Sequence, residues 1–306
     1  RRRPRTGRRV RMNEIRAMQP RSAWAMKTSA EMSAAEFREW QRLLEQRSGM
    51  VLDEQRRRFL QIGLSARMGE LGLSDYASYY RRVVDGPQGA VEWLQLLDRL
   101  TVQETCFFRH APSFALLARH LRARLAAERT PRPWAFWSVG CSTGEEPYSL
   151  AITAMEVLAG EFTVPAERFG VTATDISRSA LERLGRGLYP AAKLERLDTA
   201  LRERYFIAQP DGRYRILPGL ASRVCGARLN VLDLAKAPMS GMDVIFCQNL
   251  LIYFRRWRRR EILNRLAERL APGGLLVVGV GEVVGWQHPD LVPVADPLVL
   301  AFTRRG

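Results

Sequence analysis

Apolar positions in the first third of the chain recur at helical spacing. Phe37, Trp40 and Leu44 share one face of a helix predicted over residues 33–46. Ser33 with Glu36 three positions later forms a capping-box signature at its start. A second helix is predicted from about Asp53, with Phe59, Ile62 and Leu64 facing inward and Arg56, Arg57 and Arg58 around it. A third covers Tyr76–Val84 and a fourth runs over about 90–100. Together these predict a small all-α N-terminal domain over residues 32–110.

Past Arg129-Thr-Pro-Arg-Pro133, which reads as a stiff connection, the pattern changes. Trp134–Val139 is a short apolar run, the pattern of a buried strand. A Gly-containing turn follows. Pro147 then sits where a helix can open, and Leu150, Ala151, Ile152, Ala154 and Met155 continue it. A second apolar run over 169–174 ends in Asp175. Strand, glycine turn, helix, strand and acid is the opening of a doubly wound α/β nucleoside-binding domain. That domain is predicted over 111–306. Segments 205–208 and 213–217 flank a Pro-Asp-Gly turn and predict a β-hairpin, inside an antiparallel insertion at about 205–229. The last strands are expected at 243–246, 275–280 and 298–303.

Composition sets limits. With 306 residues and 46% apolar content, the chain can bury a full core and divides naturally into two domains. No apolar run approaches a membrane span or a secretory h-region, so no membrane insertion is expected and the cytoplasm is the expected location. Cys106, Cys141, Cys225 and Cys247 follow no metal spacing. They read as reduced thiols acting as small core residues, and no metal site is expected.

The net charge of +16 is uneven, because nine Arg against one acid in residues 1–25 supply half of it. Residues 1–31 form an Arg-rich tail with no apolar period, expected to be disordered. Nucleic-acid or anionic-surface binding is one reading of it. An incidental or overextended start, with Met12, Met18, Met26 and Met32 close behind, is the favoured one. Arg accounts for 45 of the 48 basic residues, a bias that genome composition alone can produce.

The candidate chemistry lies in the turn Gly140-Cys-Ser-Thr-Gly144-Glu145-Glu146. A dinucleotide fingerprint would read G-x-G-x-x-G and leave room for a pyrophosphate at the helix start. Here two carboxylates stand in that place and would repel phosphate. A cationic ligand with an adenosine-like end fits better, which points to S-adenosylmethionine, with Asp175 accepting from the ribose hydroxyls. The plainer alternative is that Glu145 and Glu146 only oppose the dipole of the following helix.

Five stretches carry a more specific resemblance. Gly144-Glu-Glu-Pro-Tyr-Ser149 resembles the signature of the CheR family, S-adenosylmethionine-dependent methyltransferases that esterify glutamates on bacterial chemoreceptors. Leu100-Thr-Val-Gln-Glu-Thr-Cys-Phe-Phe-Arg109 is similar to that family's TxNxTxFFR motif, and Ala173-Thr-Asp-Ile176 to its (A/S)(T/S)DI. Asp243-Val-Ile-Phe-Cys-Gln-Asn-Leu-Leu-Ile-Tyr-Phe254 resembles DxIFCRNVxIYF, and Leu270-Ala-Pro-Gly-Gly-Leu-Leu-Val277 resembles a common LxPGGxL lead-in. The resemblance runs over roughly residues 35–302.

It implies a helical domain followed by a class I S-adenosylmethionine-dependent methyltransferase domain with a small antiparallel β insertion. It implies a soluble monomer acting on the cytoplasmic helical domain of a methyl-accepting receptor, with no stable nucleic-acid partner. Carried over by motif, the cofactor contacts are Gln103, Thr105, Arg109, Glu146, Asp175, Asn230, Val231, Gln248 and Asn249. Arg109 and Tyr253 are the expected catalytic residues. The insertion helps dock the receptor in this family, and the short Pro-Asp-Gly turn suggests a member that needs no receptor tether. The basic run at Arg56, Arg57 and Arg58, with Arg67, reads either as a solvated face or as a surface that steers the acidic receptor.

Three departures stand out. Gln103 replaces the family's Asn, Gln248 replaces its Arg, and Gly279-Val-Gly-Glu-Val283 keeps only Gly279 and Glu282 of a Gly-His-Ser-Glu-Asn segment. They suggest a divergent branch, such as the one serving pilus-driven (twitching) chemosensory systems. Methyl transfer to another acceptor such as RNA, and a non-catalytic S-adenosylmethionine-binding scaffold, are the competing readings.

Overall fold

The computed structural model describes residues 31–127, 132–159 and 168–306. The Arg-rich segment up to residue 30 and most of the 129–133 connection lie outside the described residues.

The helical domain opens with α1 (Ala34–Ser48), where Ser33 Oγ accepts from the Glu36 N–H and the Glu36 carboxylate accepts from the Ser33 N–H. Then come α2 (Arg57–Glu70), α3 (Tyr76–Val84) and α4 (Gly86–Leu100). Phe37, Trp40, Leu44, Tyr79, Val83, Leu96 and Leu97 fill their common core. The phase of α2 differs from the sequence expectation. A 3-10 turn capped by Asp53 precedes it, and the buried stripe is Leu60, Leu64 and Met68, spaced by four. Phe59 and Ile62 face out, and Ile62 is 61% exposed. Arg67 is not a steering residue either. It grips buried Glu92 bidentately at 2.7 and 2.8 Å, and the Tyr79 hydroxyl donates to the same carboxylate. Burial raises the Glu92 carboxyl, but these partners outweigh it and hold it below the usual range.

The second domain begins with α5 (Ala111–Ala127), which packs on α6 (Glu145–Ala159). Strands β1 (Trp134–Val139), β2 (Phe169–Asp175), β6 (Val224–Arg228), β7 (Met242–Cys247), β8 (Leu270–Val278), β9 (Leu291–Pro293) and β10 (Leu300–Arg304) make one sheet. Its order is β6-β2-β1-β7-β8-β10-β9. The five strands from β6 to β8 run parallel, and β10 and β9 close the edge antiparallel. Near-continuous burial along β1 and β7 follows from cover on both faces. Phe136, Phe246 and Leu275 point to the α5–α6 side, while Trp137, Ile245 and Leu276 point to the side of α10 (Arg256–Glu268).

A separate three-stranded antiparallel sheet has the order β3-β5-β4, with β3 at Leu188–Pro190, β4 at Phe206–Ala208 and β5 at Arg213–Ile216. The hairpin therefore gains a strand from before residue 205. Segment 224–228, placed in the insertion on sequence grounds, instead pairs with β2 in the main sheet. It is a short, largely exposed edge strand, which is why no apolar run announced it. Cys225 lies on it and is exposed, unlike buried Cys141 and Cys247. No helix among the described residues is long and apolar enough to cross a membrane.

Candidate active site

Strand order reverses between β1 and β7, which lie side by side and parallel. From β1 the chain crosses to β2 on one side, and from β7 it crosses to β8 on the other. An α/β sheet opens a crevice at the carboxyl ends of such a pair. Three strand ends meet there: Gly140 after β1, Asp175 at the end of β2, and Gln248 after β7.

The 140–144 turn folds back so that the Ser142 N–H donates to Asp175 Oδ2 at 2.8 Å. Gly144 has φ of 101°, and a Cβ there would sit 2.7 Å from the Tyr189 hydroxyl, so only glycine fits. Among the described residues, Phe108, Ser142 and Asn249 are the non-glycine residues with positive φ. All three lie on segments that wall the crevice. Backbone strain of this kind is held where surrounding structure over-determines it.

Two chambers share a boundary at Val102, Gly140, Ser142, Asn249 and Tyr253. The first is also lined by Thr105, Arg109, Glu146 and Gln248. The second is also lined by Gln103, Asp175, Asn230 and Val231. The fold thus brings the expected cofactor contacts, with Arg109 and Tyr253, to one cleft.

The second chamber is internally hydrogen-bonded. Asp175 Oδ1 accepts from the Ser177 N–H at 2.8 Å, so each of its oxygens already holds one backbone donor. A carboxylate has about four lone-pair sites, which leaves two for a pair of hydroxyls. Burial raises the Asp175 carboxyl above its ordinary value, with the Ser177, Ser142 and Ile176 N–H groups opposing. The Gln103 amide donates to Ser177 Oγ and Ser179 Oγ at 3.2 and 3.3 Å. Asn230, expected as a cofactor contact, spends its side chain on the protein. Its amide donates to the Arg47 carbonyl at the end of α1, and its oxygen accepts from the Leu232 N–H. Its side chain therefore pins the helical domain over the chamber, where Ser48, Met50 and Leu100 form part of the wall.

The first chamber is organised around charge. Phe107 is fully buried and meets Tyr189 and Phe206 edge-on at 5.0 and 5.2 Å, while Phe108 meets Phe114 at 4.9 Å. These contacts all lie within the α/β core, which fixes the following residue. Arg109 is exposed and donates from Nη1 to the Glu104 carbonyl at 2.8 Å. Glu146 accepts from Ser138 Oγ at 2.7 Å. Burial pushes its carboxyl up to about 7, the nearby Glu282 adds to this, and Arg109 opposes it. The Gln248 amide donates to Ser113 Oγ at 3.0 Å and is buried against α5. Lys193 donates to the Thr105 carbonyl and lies 3.1 Å from fully buried Glu145, so Glu145 is a structural anchor rather than a cleft group. Tyr253 carries the Arg56 guanidinium 5.3 Å from its ring centre, and its carbonyl accepts from the Val51 N–H. Burial raises its hydroxyl pKa.

Sequence reasoning missed several supports. Asp98 on α4 accepts from Ser177 Oγ at 2.6 Å, and the Arg255–Glu45 ion pair joins α10's start to α1. Only Glu282 had a signal, as a retained member of an otherwise altered motif. Its carboxylate accepts from the Leu251 N–H behind the 249–253 turn.

The donor set fits S-adenosylmethionine. Asp175 offers acceptors for a diol, Glu146 offers a carboxylate for a cation, and buried Ser142 Oγ, on a residue lining both chambers, has no partner among the described residues. Comparison with known proteins agrees. Residues 35–101 match the family described as "CheR methyltransferase, all-alpha domain", and residues 103–297 match "CheR methyltransferase, SAM binding domain". The "Chemotaxis protein methyltransferase" of Escherichia coli is 37% identical over 254 residues, covering 82% of this chain and 85% of that protein. That of Vibrio anguillarum is 33% identical over 257 residues, covering 83% and 91%. "Chemotaxis protein methyltransferase 2" of Pseudomonas aeruginosa is 32% identical over 250 residues, covering 81% and 86%. An all-α domain, a glycine turn answered by Asp175 and a cleft closed by the 249–253 turn place this chain in the CheR family of S-adenosylmethionine-dependent methyltransferases.

Proposed function

We propose that the protein forms γ-methyl esters on glutamates of the cytoplasmic helical domain of a methyl-accepting chemosensory receptor. It does so in the cytoplasm, as a monomer, with no stable nucleic-acid partner. The observation that carries this reading is the exposed Arg109 guanidinium, in a chamber shared with Tyr253 and continuous with the Asp175 chamber.

Bound S-adenosylmethionine supplies an activated methyl group on a sulfonium. A glutamate carboxylate is already ionised at neutral pH, so the protein needs no strong general base. Its work is alignment and exclusion of water. Asp175 and Gln103 hold the ribose end, and Glu146 faces the cationic end. Arg109 orients the incoming carboxylate through its planar fork, and the Tyr253 hydroxyl positions the attacking oxygen. With the carboxylate held by Arg109 and Tyr253, the cofactor would give up its methyl group to the carboxylate oxygen and leave as S-adenosylhomocysteine. The short loop over 209–212 supports a member that works without a receptor tether.

A labelled-methyl assay with receptor cytoplasmic domain tests the reading. Label released as methanol by base is the expected result. Base-stable label would indicate N-methylation or another acceptor, and no label would indicate a scaffold that only binds.

A further inference from the structure

We propose that Glu282 is a positioning residue for methyl transfer. Its carboxylate holds the 249–253 turn in shape, and with it the Asn249 and Tyr253 faces of the cleft. The proposal rests on methyl transfer as the reaction and deepens that reading.

Glu282 is 2% exposed and lies outside both chambers. One oxygen, Oε2, accepts from the Leu251 N–H at 3.3 Å, and the Asn249 and Leu250 N–H groups also stabilise the charged carboxylate. This is the stretch where the backbone enters the left-handed region, with Asn249 at φ of 59°. Successive N–H groups turned to one side need an acceptor, and the strand end leaves none of its own. Glu282 supplies it from across the fold.

The surroundings are shaped for that side chain. A Cβ on Gly279 would fall 2.5 Å from Glu282 Cδ, so the carboxylate occupies the space a larger residue would take. Arg259 on α10 donates to the Glu282 carbonyl and to the Phe254 carbonyl, both at 2.8 Å. The same guanidinium thus ties the Glu282 segment to the far end of the turn. The Oε1 atom is buried and has no hydrogen-bond partner among the described residues.

Four charged or titratable groups bear on this carboxyl from neighbouring elements. They are Glu146 on α6, Arg259 on α10, Cys247 on β7 and Tyr253 in the turn itself, while Arg109 acts on Glu146 from the other side. Burial pushes Glu282 up to about 7, against the turn's N–H groups and Arg259. Its charge in turn raises Glu146. A residue that never touches substrate therefore acts on two that do, through geometry on Tyr253 and through charge on Glu146.

The test compares Glu282→Ala with Glu282→Gln in the full chain. Glutamine keeps an acceptor at the Oε2 position and places its NH₂ where Oε1 accepts nothing. Glu282→Ala should lower kcat by up to about 100-fold, the cost of a misplaced reacting group. Glu282→Gln should recover most of that loss. It should also move the midpoint of the pH dependence of S-adenosylhomocysteine affinity downward, because Glu146 loses a like-charged neighbour. Parental kcat in Glu282→Ala would overturn the proposal. So would equal losses in both variants that track lowered thermal stability. If the parent methylates no receptor, the functional reading fails by itself. In that event unchanged S-adenosylhomocysteine affinity in Glu282→Ala, read by calorimetry, still overturns the role of Glu282, because Asn249 and Tyr253 also wall the Asp175 chamber.

Discussion

The two chambers of the cleft differ in charge and exposure. In the Asp175 chamber, Asp175, Gln103 and Asn230 each hold protein partners, and the helical domain closes over them through the Asn230–Arg47 contact. In the Arg109 chamber, Arg109 and Asn249 are exposed, and two carboxyls with raised pKa sit behind them. The first is built like a socket and the second like a charged surface awaiting a partner. Binding and turnover should therefore separate by chamber when residues are changed.

The largest effect is expected in the Arg109 chamber. Arg109→Ala should cut the methylation rate about 10²–10³-fold, the usual cost of losing one preorganised electrostatic contact. Arg109→Lys should also be poor, because an ammonium cannot copy a bidentate fork. Cofactor affinity by calorimetry should fall much less than rate in either variant. A lysine variant turning over at the parental rate would mean charge alone suffices and the fork is irrelevant.

Asp175→Ala should act the other way, on affinity first. Losing a charged hydrogen-bond acceptor costs about 1.5–3 kcal/mol, or roughly ten- to hundredfold in Kd. The same oxygens brace Ser142 and Ser177, so a thermal melt must accompany the titration. Unchanged affinity in the folded variant would remove Asp175 from the ribose site.

A smaller effect should appear with pH. Glu146 titrates near 7, and a cationic ligand favours its charged form. Below that pH the carboxyl must release a proton before it can face the cation, so affinity falls as pH drops through 7. The slope cannot exceed about tenfold per unit for one proton. Titrations between pH 6 and 8 should show this, and Glu146→Gln should flatten it. A flat parental profile would mean that Glu146 stays charged throughout.

The smallest effect concerns the rim. Of the basic residues in the 3-10 turn and α2, Arg56 stacks on Tyr253, Arg57 bonds the Met32 carbonyl and Arg67 holds Glu92. Arg58 alone is exposed with no such role here, which makes it the clean probe of steering. Arg58→Ala should slow receptor methylation by a few-fold, about threefold or less, at low salt and hardly at all at high salt. Equal rates across the salt series would leave Arg58 a solvated residue.

Both chambers were legible along the chain because each motif is a local object. A glycine turn must follow its strand directly, and the acid must end the next strand, so their spacing survives without any knowledge of packing. Helix α3 and the Ser33–Glu36 box are local in the same sense. The phase of α2 was misjudged because Phe59, Leu60, Ile62 and Leu64 allow two apolar faces. Only the 3-10 turn at its start and the neighbouring helices select the Leu60 face.

The sequence by itself determined the order of domains, the cofactor class and which short segments would wall the cleft. Tertiary structure decided what those segments do for one another. Asn230 reaches Arg47 across 183 residues, Arg255 reaches Glu45 across 210, and Glu282 reaches Leu251 from the next strand's loop. Such partners carry no mutual spacing that a linear pattern can record. They meet because the strand order reverses between β1 and β7, gathering three strand ends at one edge, and because the helical domain docks there. Burial there then raises the carboxyl pKa values, a property of the surrounding protein rather than of any residue alone.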